Sequence, residues 1–113
     1  MKSLGVALML AVLAGCATGQ PVAKPSASCA GPLPTYIADV RPVLERRCLS
    51  CHANGGVAAE DHDFAHVETL RAQRQSLADE VAERAMPPKG HPQLTDDEAQ
   101  LLLRWAGCGA AER

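Results

Sequence analysis

The residues of this chain best suited to chemistry are the five from Cys48 to His52, which read Cys-Leu-Ser-Cys-His. Two cysteines separated by two residues and followed at once by histidine form the attachment signal of a c-type haem. Thiols about one helical turn apart can add to the two vinyl groups on one edge of a porphyrin, and the adjoining imidazole can then bind the iron. The spacing therefore predicts one covalent haem on Cys48 and Cys51, with His52 as an iron ligand.

The same Cys-x-x-Cys motif also occurs in two other kinds of site. A Cys-x-x-Cys pair is half of many zinc sites, which need about four ligands, and here His52, His62 and His66 are the spare candidates. The pair is also the redox motif of thioredoxin-like folds, but these require a βαβ pattern, and none surrounds the motif. The haem interpretation is therefore favoured.

A second axial ligand is predicted at Met86. It is the only methionine beyond the first fifteen residues, and two prolines that stiffen the backbone follow it. A thioether is a frequent partner of histidine on haem iron and raises the reduction potential. The alternatives are a methionine that fills the core, or ligation by His62, His66 or His91. His62 and His66, four residues apart, are expected to face solvent.

The N-terminus resembles a bacterial lipoprotein signal. Residues 1–15 contain a short apolar run that is below the ~20 residues needed to span a bilayer, and they end in Leu-Ala-Gly before Cys16. The resemblance implies cleavage before Cys16, a lipid on Cys16, and an outer-membrane location facing the periplasm, because Ala17 and not aspartate follows. The alternative is an ordinary signal peptide. Residues 16–34, rich in Ala, Ser and Pro, are predicted to be a flexible tether.

Composition limits the remaining possibilities. A net charge of −2, without a basic patch, argues against nucleic-acid binding. With one Phe, one Tyr and one Trp, a domain of this size needs a cofactor or a disulfide to support its core. Cys29 and Cys108 remain after lipid and haem are assigned, and an exported protein meets an oxidising compartment. We therefore predict that they form a disulfide; the alternative is two free thiols.

The periodicity predicts an all-α domain over residues 35–113, with about four helices and no strands. The first helix should run from Thr35 or Asp39 to Cys51, and Pro42 requires either a start near Val40 with Asp39 as cap or a bend. Residues 53–63 are predicted to be a loop, and residues 64–84 two short helices divided by a cap at Ser76.

The last helix has the clearest start signal. Thr95 with Glu98 three residues later is a capping box, and acidic residues occupy the first turn, where the helix dipole favours them. The helix should end near Ala106. Capping explains the acidic run 96–98, although docking of a redox partner could use it too.

Together these motifs resemble monohaem class I cytochrome c domains, with the planctomycete- and myxobacterial-type branch nearest. The resemblance rests on Asp39-Val40-Arg41-Pro42-Val43-Leu44, Cys48 to His52, Met86-Pro87-Pro88, Leu94 to Glu98 and Leu103-Arg104-Trp105, and covers about residues 36–109. It implies a small all-α fold whose first and last helices cross, His52 and Met86 as axial ligands, and Trp105 near the haem.

One feature departs from that family. Many class I domains place a proline after the haem motif, and its carbonyl orients the proximal histidine. No proline lies between His52 and Met86 here, so a carbonyl within residues 55–57 is a candidate for that role.

The resulting functional prediction is a lipid-anchored, monomeric one-electron carrier that serves redox partner proteins and is not an enzyme. The alternative is a haem-based gas sensor or small peroxidase, in which Met86 leaves the sixth position open. A zinc-binding or structural lipoprotein without haem is the third possibility.

Overall fold

The computed structural model describes residues 28–113, and the regular secondary structure of this part of the chain is helical, without strands. The predicted signal peptide, lipidated Cys16 and most of the tether lie outside the described residues. The elements are a π-helical turn, Tyr36–Val40, followed by α1 (Arg41–Arg47), α2 (Leu49–His52), α3 (Val67–Ala72), α4 (Arg74–Ala82) and α5 (Asp96–Gly107). The prediction of an all-α domain is confirmed.

The first predicted helix is divided into three pieces. Thr35, not Asp39, caps the π-helical turn: its side chain accepts from the Ala38 N–H, while Asp39 accepts from the Thr35 N–H at 2.8 Å. Pro42 then lies in the first turn of α1, where its missing N–H has no partner to lose. The chain leaves helical geometry at Cys48 and re-enters it in α2.

The second helical region is two short helices, as predicted, but the division lies at Gln73 and not at Ser76. Gln73 has φ −102° and ψ 11°, outside the helical region, whereas Ser76 lies inside α4. The first of the two, α3, begins at Val67, three residues after the predicted start at Phe64. The preceding residues instead form turns, with the Ala65 N–H bonded to the Asp63 carboxylate.

The last helix follows its prediction closely. The Thr95 hydroxyl accepts from the Glu98 N–H at 3.1 Å, and the Glu98 carboxylate accepts from the Thr95 N–H at 2.9 Å. Both bonds of the capping box are therefore made, and α5 ends at Gly107, one residue after the predicted end.

The first and last elements meet over the core. The Tyr36 and Trp105 rings lie 6.4 Å apart, and the Trp105 indole N–H donates to the Ala111 carbonyl at 2.8 Å. The Tyr36 hydroxyl lies within hydrogen-bonding distance of the Phe64 and Ala65 carbonyls. The most deeply buried large side chains come from the π-helical turn, α1, α3 and α5: Val40, Leu44, Leu70, Leu102 and Trp105.

The two ends of the described chain are joined beside α5. Cys29 and Cys108 are paired in disulfide geometry, with Cα atoms 5.5 Å apart, a separation typical of disulfides. The Arg104 side chain also donates to the carbonyls of Ser28 and Ala30. Among residues 28–113, no helix has the length and apolar character needed to cross a bilayer.

Candidate functional site

The Cys48–His52 segment lies at the rim of an apolar cleft. Two backbone hydrogen bonds stabilise the bend at Cys48. The Cys48 N–H donates to the Leu44 carbonyl at 2.8 Å, and the Cys48 carbonyl accepts from the His52 N–H at 3.0 Å. Both thiols line the cleft and are unpaired. The bend at Cys48 and the short helix α2 thus bring Cys48, Cys51 and His52 to the same cleft.

The cleft has a volume of about 530 Å³, within the range of roughly 300–1,000 Å³ typical of ligand sites. It is bounded by the haem motif, by the loop 57–64, by α4 and by the loop that follows α4. Its apolar lining includes Val57, Phe64, Leu77, Val81, Pro87, Pro88 and Leu94.

His52 is held in one tautomer by a backbone carbonyl. Its Nδ1 lies 3.0 Å from the His62 carbonyl oxygen. Because that oxygen only accepts, Nδ1 carries the proton and Nε2 of the neutral ring keeps its lone pair for a metal. Phe64 stacks on the imidazole, with centroids 4.3 Å apart and planes 3° from parallel. The orienting carbonyl is therefore at residue 62, and not within residues 55–57 as suggested.

The loop after the motif returns closely against α2. The Ala58 N–H donates to the Cys51 carbonyl at 2.9 Å, and the Phe64 N–H donates to the His52 carbonyl at 2.8 Å. A Cβ atom added at Gly56 would lie 2.5 Å from the Cys51 carbonyl oxygen, so only glycine allows this approach.

Met86 lies on the same cleft, on the loop that follows α4. Its side chain is 41% exposed, and Pro87, Pro88 and His91 line the cleft with it. The Gln93 side-chain amide lies 3.0–3.1 Å from the carbonyls of Pro87, Pro88 and His91 and ties this loop together.

His62, His66 and His91 are exposed, as was predicted for His62 and His66. His62 still lines the cleft, whereas His66 does not and instead faces Asp63 at 3.6 Å. Within residues 28–113, no group of three or more His, Cys, Asp or Glu side chains is arranged to hold a metal ion. The described residues therefore do not supply a four-ligand zinc site.

Charges at the cleft rim act on Cys48. Burial raises the pKa of its thiol to about 11, and the Glu98 carboxylate contributes in the same direction. Cys48 is thus a neutral thiol at neutral pH, unlike the low-pKa cysteines of thioredoxin-like sites. Glu98 itself binds Arg47 at 2.9 Å and Arg46 at 3.1 Å, which connects α5 to α1 beside the haem motif.

Trp105 and the acidic run 96–98, both singled out from the sequence, do not line the cleft. Trp105 is buried beside Tyr36 and does not line it. Within the acidic run, Asp96 pairs with Arg84 and Glu98 completes the capping box, so these two carboxylates already have partners in the fold.

The side chains present fit a covalently bound porphyrin. The cleft offers two unpaired thiols one helical turn apart, an imidazole with a free Nε2, and a thioether. Sequence reasoning did not identify the His62 carbonyl, Gln73 or Gln93, because a glutamine in a loop or at a helix junction has no distinguishing pattern.

The chain was compared with known proteins. Residues 37–105, more than half of the chain, match the family described as cytochrome C oxidase, cbb3-type, subunit III. No curated protein and no solved structure gave a match.

Proposed function

Because the chain belongs to the cytochrome c domain family described as cytochrome C oxidase, cbb3-type, subunit III, we propose that it is a one-electron carrier with a single covalent haem c. The observation that carries the proposal is the fixed His52 imidazole beside two unpaired thiols on one apolar cleft. Bound there, the haem iron supplies a ferric–ferrous couple that takes one electron from a donor protein and passes it to an acceptor protein.

Cys48 and Cys51 make the covalent attachment. Each S–H would add across one vinyl double bond of the haem, so that one S–C bond and one C–H bond form and nothing leaves.

His52 and Met86 would bind the haem iron. The Nδ1–H bond to the His62 carbonyl turns Nε2 of His52 into the donor atom. Met86 shares the cleft, and thioether ligation together with the apolar lining favours a high reduction potential. No side chain need act as an acid or base, so the protein is a carrier and not an enzyme.

The carrier is a monomeric lipoprotein of the bacterial cell envelope. A lipid on Cys16 anchors it in the outer membrane, facing the periplasm, and the sequence Leu-Ala-Gly-Cys supports this. The Cys29–Cys108 pair suits an oxidising compartment. Labelling with a radioactive fatty acid tests the anchor: wild type should incorporate label and Cys16→Ser should not.

An absorption spectrum of the mature protein, produced with haem-attachment machinery, tests the carrier function. Sharp low-spin bands on reduction, a weak far-red sulfur-to-iron band on oxidation, and no response to carbon monoxide are expected. Met86→Ala should lose the far-red band and bind the gas, while His91→Ala, on the same loop, should behave as wild type. A wild type with high-spin bands that binds carbon monoxide readily would instead indicate a gas sensor or peroxidase.

The disulfide is tested by stability. It closes a loop between cysteines 79 residues apart, and the chain-entropy model assigns roughly 4–5 kcal/mol to such a loop. Cys108→Ser should lower the free energy of unfolding by that amount. An unchanged stability, with Cys29 reactive towards thiol reagents in wild type, would contradict the bond.

A further inference from the structure

We propose that Gln73 is a positioning residue for the haem ligand His52. The side-chain amide of Gln73 holds residues 61–62 in place, and the His62 carbonyl in turn holds the His52 imidazole. The inference rests on the proposed function and deepens it. Nothing in the sequence pattern singles Gln73 out, and it contacts neither the motif cysteines nor Met86 by any hydrogen bond in the described structure.

Both ends of the Gln73 amide are used on the loop. Its Nε2 lies 2.8 Å from the Asp61 carbonyl oxygen, and its Oε1 lies 2.6 Å from Nδ1 of His62. Two adjacent residues of the loop are thus bound to one side chain, which restricts both the position and the rotation of the intervening peptide.

The direction of each bond follows from its chemistry. The Asp61 carbonyl can only accept, so the NH₂ group of Gln73 faces it and the amide oxygen faces His62. Nδ1 of His62 therefore carries a proton and donates to Gln73. The His62 carbonyl, on the same residue, accepts from Nδ1 of His52. Gln73 and His52 are thus connected through His62, which binds Gln73 with its ring and His52 with its backbone carbonyl.

Gln73 is a firm point from which to hold the loop. It lies at the junction of α3 and α4, between Leu70 and Leu77, whose side chains are 0% and 7% exposed in the core. Besides its turn bonds, the loop is tied to the motif by bonds from the Ala58 and Phe64 N–H groups to the Cys51 and His52 carbonyls. Between these two bonds, Asp61 and His62 are exposed and bind the Gln73 side chain. The position of the His62 carbonyl therefore depends on this connection to the helical core.

The expected effect is on the iron. A hydrogen bond from Nδ1 makes an imidazole a more basic ligand, and such outer contacts typically change metal-site properties by about 10–100-fold. A more basic His52 favours ferric iron, so a loosened carbonyl should raise the reduction potential.

The test compares three variants of the holoprotein. Gln73→Leu keeps the size of the side chain and removes both bonds, whereas Gln73→Glu keeps an acceptor for His62 and loses the donor to Asp61. Gln75→Leu is the matched control, because Gln75 lies in α4, is exposed, and donates through its amide to the Asp79 carboxylate, away from the loop. The readouts are the reduction potential and, by NMR of the reduced protein, solvent exchange of the His52 Nδ1 proton.

We expect Gln73→Leu to lower the ferric-to-ferrous ratio at a fixed potential by up to about tenfold. The Nδ1 proton should exchange about tenfold faster, because a factor of about ten corresponds to the free energy of one typical hydrogen bond. Gln75→Leu should change neither the potential nor the exchange rate. Should Gln73→Leu fail to fold or to attach haem, faster exchange of the His52 Nδ1 proton is expected in Gln73→Glu, which loses the bond to Asp61. The added negative charge of Gln73→Glu itself favours ferric iron, so the exchange rate is the readout for that variant.

A wild-type exchange rate in the folded Gln73 variant overturns the proposal, and so does a wild-type potential in Gln73→Leu. The wild-type spectrum, recorded first, tests the haem and its ligands separately. A low-spin wild type whose potential is insensitive to Gln73 would therefore refute the positioning role and leave the carrier function standing.

Discussion

Replacing Glu98 with glutamine should lower the free energy of unfolding by about 1–2 kcal/mol at neutral pH and by little in acid. Glu98 joins the last helix to the first. Its carboxylate accepts from the Thr95 N–H and pairs with Arg47 and Arg46 of α1. Glutamine keeps the shape and can still cap α5, but it carries no charge.

The magnitude follows from exposure. The side chains of Glu98 and Arg47 are 12% and 23% exposed, so their bond is the main charged contact, and a hydrogen bond to a charged group contributes about 1.5–3 kcal/mol. Arg46 is 54% exposed, and such surface pairs contribute at most about 1 kcal/mol. Because glutamine retains part of the hydrogen bonding, the expected loss is the lower part of this range.

The dependence on pH has a definite sign. Burial by itself would raise the pKa of Glu98, but the bonds from Thr95, Arg47 and Arg46 outweigh it and hold the pKa below its ordinary value of 4.5. A lowered folded-state pKa adds stability above the unfolded-state value, and this stability is lost as the pH falls through the folded-state pKa. The difference between wild type and Glu98→Gln should therefore be full at pH 7 and shrink below about pH 4.5.

The assay is denaturant unfolding of the holoprotein, followed by circular dichroism at neutral and acidic pH. Asp97→Asn is the control, because Asp97 lies in the same turn of α5 and is exposed. It should lose only the helix-dipole contribution of about 0.3–1 kcal/mol. A Glu98→Gln loss that is equal at both pH values, or no larger than that of Asp97→Asn, would refute the reasoning.

Two further predictions concern the loops around the cleft. Gln93→Leu removes the amide that ties the Met86 loop together and should therefore permit carbon monoxide binding and weaken the far-red band. The control Gln100→Leu, at an exposed position of α5, should change neither property. An unaltered gas response in Gln93→Leu would contradict this role for Gln93. Gly56→Ala places a methyl group against the Cys51 backbone and should lower the free energy of unfolding by about 1–3 kcal/mol. Unfolding at the wild-type denaturant concentration would contradict this prediction, because it would show that the loop moves aside without loss of stability.

Elements governed by neighbouring residues were predictable. The Thr95–Glu98 capping box and the end of α5 follow from a pattern of four residues and two glycines, because the groups that bond are adjacent in the chain. The presence of two helices in residues 64–84 also followed from periodicity. Their division at Gln73 did not, because the Gln73 side chain bonds to a loop eleven to twelve residues away.

The sequence alone predicts the kind of site, because the Cys48–His52 spacing is the attachment signal of a c-type haem and Met86 is the only methionine beyond residue 15. The surroundings of the site could be read only from the folded chain. Trp105 packs on Tyr36 and does not line the cleft, and the His62 carbonyl, not one in residues 55–57, receives the His52 proton. The difference lies in how far apart along the chain the contacting residues are. Local patterns set the bonds within a helical turn, whereas contacts between distant segments depend on how the helices pack and which loop atoms that packing brings together.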